Sequence, residues 1–286
     1  MKFEKLKDDI SLEYKKLGLK KNDTIYLSVN IGELFKNYLS QELLKKYNIT
    51  EIKEKISNIL LNELKKIIGK KGTIIVPTFS FNFIKKKIFN PNLTKSDLGY
   101  FSNFFLKDKT TIRSLHPTNS VSSWGKYSNY ICKNNGKFPF GINSPYGKMQ
   151  NLNLKFVNLG CRFYTTSTYV HHLEHLNGFH IRYNKLVKGK IFSKGRYLQD
   201  YYFINVRFLK IKKEEPINFY KILKNKRKVQ EIKNNFFSSV IDIKDLNKIG
   251  IETLKSNPFI FENKTILVNY NENISLKTNT TRYHNK

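Results

Sequence analysis

A chain of 286 residues with 40% hydrophobic and 14% aromatic content carries enough apolar surface for a sizeable core, which excludes intrinsic disorder despite a formal charge of +30. Lysine supplies most of that charge and runs from Lys2 to Lys286 without a dominant cluster, and only seven residues are Arg, so nucleic acid is disfavoured as a partner while anionic small ligands are tolerated. The two cysteines, Cys132 and Cys161, are too few for a disulfide framework or a cysteine metal site.

Phe3, Leu6, Ile10, Tyr14 and Leu17 recur at helical spacing ahead of Gly18, which predicts an amphipathic helix over 2–17. Residues 24–30 are short, apolar and β-prone. A stripe of Ile52, Ile56, Leu60, Leu64 and Ile67, behind Thr50 and ahead of Gly69, predicts a long helix, and 73–77 (TIIVP) reads as a strand. Strand, helix and strand in that order form a βαβ unit, with parallel strands and a right-handed crossover. Helices are expected near 96–106, 125–133, 168–177 and 245–256. A buried strand is expected at 154–159 (LKFVNL), and β-like segments near 187–192, 200–209 and 236–242.

The whole reads as one α/β domain with a mixed sheet over residues 1–262, followed by a polar, partly ordered appendix at 263–286 rich in Asn, Lys and Thr. The first residues lack the apolar stretch of a signal peptide, and no run approaches the roughly 18 apolar residues of a membrane span. No membrane partner is expected, and the cytoplasm is the expected location.

Four of the six histidines, His171, His172, His175 and His180, fall in TSTYVHHLEHLNGFH. On a helix, His171, Glu174 and His175 share one face, because residues three and four apart are neighbours. That face supports two chemistries. Glu174 can orient and charge-stabilise His171 as a proton-abstracting base. Alternatively H-x-x-E-H is the inverted zincin order, with two His on zinc and the Glu as base, a third ligand coming from Glu231 or Glu252. Hydrogen-bonded structural histidines are the plain third reading. Upstream, RSLHPTNSVSSWG (113–125) and PFGINSPYG (139–147) are loops dense in turn residues, and Arg113 and His116 add donors able to meet an anion.

Taken together and in order, GTIIVPTFSF (72–81), FNPNLTKSDLG (89–99), RSLHPTNSVSSWG, PFGINSPYG, the strand and Gly at 157–160, and TSTYVHHLE (166–174) resemble the aminoglycoside 3-N-acetyltransferase family across roughly residues 5 to 262. The resemblance implies a single α/β/α domain around a central mixed, largely parallel sheet. It also implies acetyl-CoA as co-substrate with no metal, and transfer to an amine of an aminoglycoside or related amino sugar. His171 and Glu174 match the family's reaction centre, with Thr168 at the head of the same stretch, and His172 and His175 become bystanders.

By position, Arg113, Ser114, His116 and Ser120 are expected along the CoA channel. Ser28 and Asn30 are expected to border it, although Ser28-Val29-Asn30-Ile31 departs from the His-Ser-Ser-Leu usual in relatives. The acidic acceptor-binding segments of drug-modifying members have no counterpart, and a basic chain matches a polycation poorly, so an amino sugar of surface-polysaccharide synthesis fits as an alternative acceptor. A homodimer is left open. The rivals from other classes are a zinc hydrolase built on His171, Glu174 and His175, and a nucleic-acid-binding protein.

Overall fold

The computed structural model describes residues 2–178, 182–207 and 216–261. His180, positions 208–209 of the expected strand and the polar appendix lie outside the described residues.

In chain order the elements are α1 (Lys2–Lys16), β1 (Thr24–Val29), α2 (Ile31–Tyr38), α3 (Gln41–Lys46), α4 (Ile49–Ile68), β2 (Thr73–Pro77), α5 (Phe83–Lys86), β3 (Ile88–Phe89), α6 (Tyr100–Leu106), β4 (Ile112–Arg113) and β5 (Val121–Gly125). There follow α7 (Ser128–Cys132), α8 (Pro145–Gln150), β6 (Leu154–Leu159), α9 (Phe163–Thr166), α10 (Tyr169–Leu176), β7 (Arg182–Ser193), β8 (Arg196–Arg207), α11 (Ile217–Asn225), β9 (Val229–Lys233), β10 (Phe237–Asp242) and α12 (Ile243–Ser256).

Seven strands form the main sheet in the order β4-β5-β2-β1-β6-β10-β9. Its centre, β2-β1-β6, is parallel, and both flanks are antiparallel. The expected βαβ unit is β1, α4 and β2. Its helix begins earlier than the Thr50 boundary, because Asn48 and Glu51 close a capping box: Asn48 Oδ1 accepts from Glu51 N at 2.9 Å and Glu51 Oε2 from Asn48 N at 2.8 Å.

Period-two alternation sends the two faces of the sheet into separate cores. Ile25, Leu27, Ile74, Val76, Val157 and Leu159 pack with α1, α2, α4 and α6 on one side. Tyr26, Ile75, Val121, Phe156 and Ile241 pack with α7 to α12 on the other. Three layers, helix, sheet and helix, result. The expected helix at 125–133 is shorter than predicted, because VSSWG is a strand: Ser122 and Ser123 are fully buried, and β5 pairs with β2.

A second, three-stranded sheet of order β3-β7-β8 carries a long hairpin. Its strands extend well beyond the two segments expected from the sequence and join at Lys194 and Gly195, both at positive φ (51° and 78°), the conformation a two-residue hairpin turn requires. One face of the hairpin, with Val187, Ile191, Tyr202, Ile204 and Val206, is buried on Phe83, Ile84 and Phe89. The alternate residues therefore face the opposite way.

Candidate active site

Helix α10 is fixed by its apolar side. Tyr169, Val170 and Leu173 sit in the core, Tyr169 OH donates to Asn247 Oδ1 at 2.7 Å, and Leu173 rests on Gly250 of α12, where a Cβ would approach Leu173 Cδ1 to 2.5 Å. Thr168 heads the helix, its carbonyl accepting from His171 N at 3.1 Å, while its side chain makes no capping hydrogen bond.

Helical spacing then brings His171 and Glu174 together. Nδ1 of His171 lies 2.7 Å from Glu174 Oε2, the imidazole being 27% exposed and the carboxylate 6%. A buried ionised carboxylate makes Nδ1 the protonated nitrogen and leaves Nε2 as the basic one. Arg182, the first residue of β7, places Nε 3.2 Å from the same carboxylate oxygen, an ion pair without hydrogen-bond alignment. Burial, then the charge of Arg182, hold the His171 pKa below its ordinary value, and Glu174 opposes them. Burial by itself would raise Glu174, but His171, Arg182 and Arg207 outweigh it and the carboxyl is held below the usual range. The pair is thus a neutral imidazole on an ionised carboxylate at neutral pH.

The neighbouring His172 does structural work. His172, fully buried, accepts from Gly141 N at Nδ1 (3.1 Å) and meets Gln150 Oε1 from Nε2 (3.1 Å), pinning the 139–147 loop to α10; burial pushes its pKa down to about 3. Gly141 is required there, since at φ +99° a Cβ would also lie 2.6 Å from His175 Nε2. Phe140 in the same loop faces the His171 ring with centroids 6.0 Å apart. Among the described residues no group of three or more His, Cys, Asp or Glu is placed to hold a metal ion. The direct hydrogen bond from His171 to Glu174 is one that can orient an imidazole for proton transfer.

The 113–120 loop is buried and engaged with itself. Arg113 is 8% exposed, and all five of its N–H groups meet protein acceptors: Ser120 Oγ from Nε (3.0 Å), Thr94 O and Pro91 O from Nη1, Thr78 O and Ser80 Oγ from Nη2. Ser114 Oγ accepts from Val121 N and Ser120 Oγ donates to Thr78 O. His116 accepts from Asn119 N at Nδ1 (3.1 Å) and donates from Nε2 to Phe203 O of β8 (3.0 Å); burial lowers its pKa to about 4. It ties the loop to the hairpin. At the end of β1, Ser28 is buried, and Asn30 Oδ1 caps α2 by accepting from Gly32 N and Glu33 N. Cys161, whose Sγ meets Ser28 O, has its thiol pushed up to about 12 by burial, so it offers no thiolate.

Arg182 and Arg207 were not among the residues singled out from the sequence. They come from strand ends 25 positions apart, and only the β7–β8 register, Arg182 opposite Arg207, brings them to the dyad. The one local signal was the spacing of two between polar residues, Arg182 with Asn184 and Asn205 with Arg207.

Solved structures with the same fold include YokD from Bacillus subtilis (19% identity, covering 88% of this chain and 99% of that one, TM-score 0.66). Others are the AAC-IIIb binary complex with CoASH (15%, 91% and 98%, 0.71) and a mutant of aminoglycoside acetyltransferase AAC(3)-IVa in complex with a gentamicin (18%, 89% and 90%, 0.67). Among the described residues no helix is long and apolar enough to cross a membrane. The family model for aminoglycoside 3-N-acetyltransferase matches residues 48–244, which include the loop, the dyad and the hairpin, and the chain belongs to that family of acetyl-CoA-dependent N-acetyltransferases.

Proposed function

We propose that the protein transfers the acetyl group of acetyl-CoA directly to an amine of an aminoglycoside or related amino sugar, with His171 as general base. The observation that carries this reading is the 2.7 Å hydrogen bond between His171 Nδ1 and the buried Glu174, which leaves Nε2 basic at a partly exposed position. The co-substrate supplies a thioester whose carbonyl carbon is already activated for attack. His171 Nε2 removes a proton from the amine nitrogen as that nitrogen bonds to the carbonyl carbon. The imidazolium, stabilised by Glu174, returns the proton to sulfur as the C–S bond breaks. Thr168, whose hydroxyl does not cap α10, is the candidate donor to the developing oxyanion, a contribution of up to a few kcal/mol. The protonated Cys161 fits a mechanism without an acyl-enzyme.

Arg113, Ser114, His116 and Ser120 are engaged with protein partners, and Asn30 with α2. These residues suit the wall of a CoA channel, whose shape they fix, better than direct ligation of its phosphates.

The test is thiol release from acetyl-CoA with a panel of aminoglycosides and nucleotide-linked amino sugars. His171→Ala is expected to lower transfer by about 10²–10⁴-fold while acetyl-CoA binding persists. Normal turnover in that variant would sink the assignment.

A further inference from the structure

The face of the β7–β8 hairpin turned away from Phe83, Ile84 and Phe89 carries, beyond the dyad, an accessible apolar surface that the mechanism does not use. In register, Leu186 stands opposite Phe203 and Lys188 opposite Tyr201, so these four side chains share the outward face. Phe138, from the segment that enters the 139–147 loop, lies flat on Phe203, with ring centroids 4.2 Å apart and planes 6° from parallel. Tyr201 meets Phe203 edge-on at 6.3 Å. Phe138, Leu186 and Tyr201 remain 40%, 47% and 47% exposed, so the surface is open to a ligand.

Its position ties it to the base. Phe203 N donates to Lys137 O at 2.9 Å and Gly141 N donates to His172 Nδ1 at 3.1 Å, so residues 137–141 are a strap fastened to β8 at one end and to α10 at the other. The strap sets the Phe140 ring 6.0 Å from that of His171 and the Phe138 ring 6.2 Å from that of His175. His171 and His175 are about one helical turn apart, roughly 5–6 Å. A flat ring on Phe138 is therefore within reach of an amino sugar held at His171.

Stacking and charge then name the ligand. An exposed aromatic ring already backed by a parallel one offers a preformed plane, on which another flat ring gains dispersion and sheds water. Beyond it, Lys188 and Lys190 are exposed on the same face, while β7 has no acidic residue and Asp200 of β8 is bound by Lys137. These cations complement an anion and repel a polycation. The 113–120 loop, the wall assigned above to the co-substrate, meets the hairpin from the other face, where the His116 ring abuts Tyr202 at 5.3 Å. The outward surface is left to the acceptor.

We propose that this surface is an acceptor subsite: Phe138, backed by Phe203, stacks a flat unsaturated ring attached to the amino sugar, and Lys188 meets an anionic group carried on that ring. The proposal rests on the acetyltransferase reading above and gives its acceptor a chemical class, an anionic aryl or heteroaryl glycoside of an amino sugar. Phe138 and Lys188 are the specificity-determining residues.

The test uses the methyl, phenyl and 4-carboxyphenyl glycosides of glucosamine, with gentamicin alongside, each read by calorimetric binding and by thiol release from acetyl-CoA. The phenyl glycoside is expected to bind at least about fivefold more tightly than the methyl one, and the carboxyphenyl glycoside more tightly again, with the same order in kcat/KM. In Phe138→Leu, which keeps apolar volume but not the plane, the phenyl-to-methyl ratio should fall towards one, and Phe138→Trp should keep it. Lys188→Gln, at an exposed position, should remove the gain from the carboxylate and leave the gain from the ring.

Equal binding of methyl and phenyl glycosides, tighter binding of gentamicin than of the aryl glycosides, or unchanged ratios in folded Phe138→Leu and Lys188→Gln overturns the subsite while leaving acetyl transfer intact. So does a loss in Phe138→Leu that falls on acetyl-CoA, which would give the surface to the co-substrate. Preferential binding of the aryl glycosides with no thiol release from any amine supports the subsite and overturns the transfer reading.

Discussion

The loop holding Arg113, His116 and Ser120 and the face formed by α10 with the β7–β8 hairpin are both dense in buried polar side chains, but they treat hydrogen bonds differently. In the loop every Arg113 donor has a protein acceptor and both His116 nitrogens are used. On the hairpin face, amide atoms of Asn184 and Asn205 lie buried without partners among the described residues, next to a neutral imidazole with one basic nitrogen. A saturated network rigidifies a scaffold. An incomplete one carries a desolvation cost that the saturated loop does not.

That contrast can be broken most sharply at Arg113. Arg113→Ala leaves the carbonyls of Thr94 and Pro91 without their guanidinium donor, takes one of two partners from Thr78 O and Ser120 Oγ, and should lower stability by about 3–5 kcal/mol, read from urea unfolding midpoints. Lys cannot reproduce the fork and should recover less than half. An Arg113→Ala enzyme as stable as the parent but weakened towards acetyl-CoA would make the loop a ligand site instead.

Glu174→Gln comes next. It keeps the shape and removes the charge, so kcat should fall roughly 10–100-fold with little change in acetyl-CoA affinity. Because Glu174 raises the His171 pKa against burial and Arg182, its loss should also move the acid limb of the pH–rate profile to lower pH. An unchanged kcat would reduce the dyad to structure.

Acid probes the buried histidines without any substitution. His116 and His172 titrate near 4 and 3 when folded, against about 6.5 in the unfolded chain. Below pH 6.5 the unfolded state therefore binds protons that the native state refuses. Stability should decline by up to about 1.4 kcal/mol per pH unit for each histidine, until the folded groups themselves protonate. Melting temperatures from pH 7 to pH 4 measure it. A flat profile would mean that these rings are not held neutral by burial.

Much of this architecture was legible in the letters. The βαβ unit followed from one apolar stripe between two short apolar runs, and the dyad from an i, i+3 spacing that the helix honours. Strand β5 was hidden because its buried Ser122 and Ser123 look like loop residues, their burial coming from the sheet and not from side-chain apolarity. The 113–120 loop was visible as a dense set of donors, but spacing cannot show whether donors face a ligand or one another. Arg207 was illegible for a different reason: its place beside the dyad depends on a cross-strand register that no local pattern encodes.

The base and the wall beside it have separate foundations. His171 stands on a helix seated on α12 and the main sheet, whereas Arg182, Asn184, Asn205 and Arg207 stand on a hairpin whose other face is anchored on Phe83, Ile84 and Phe89. Arg182 and Arg207 on that face nevertheless act on His171 and Glu174, the first as an ion partner of the carboxylate and both through their charge. The remaining alternating positions of the two strands can therefore be rewritten without removing the seat of α10 on α12, which makes the hairpin the place to test whether the wall beside His171 governs the choice of amine.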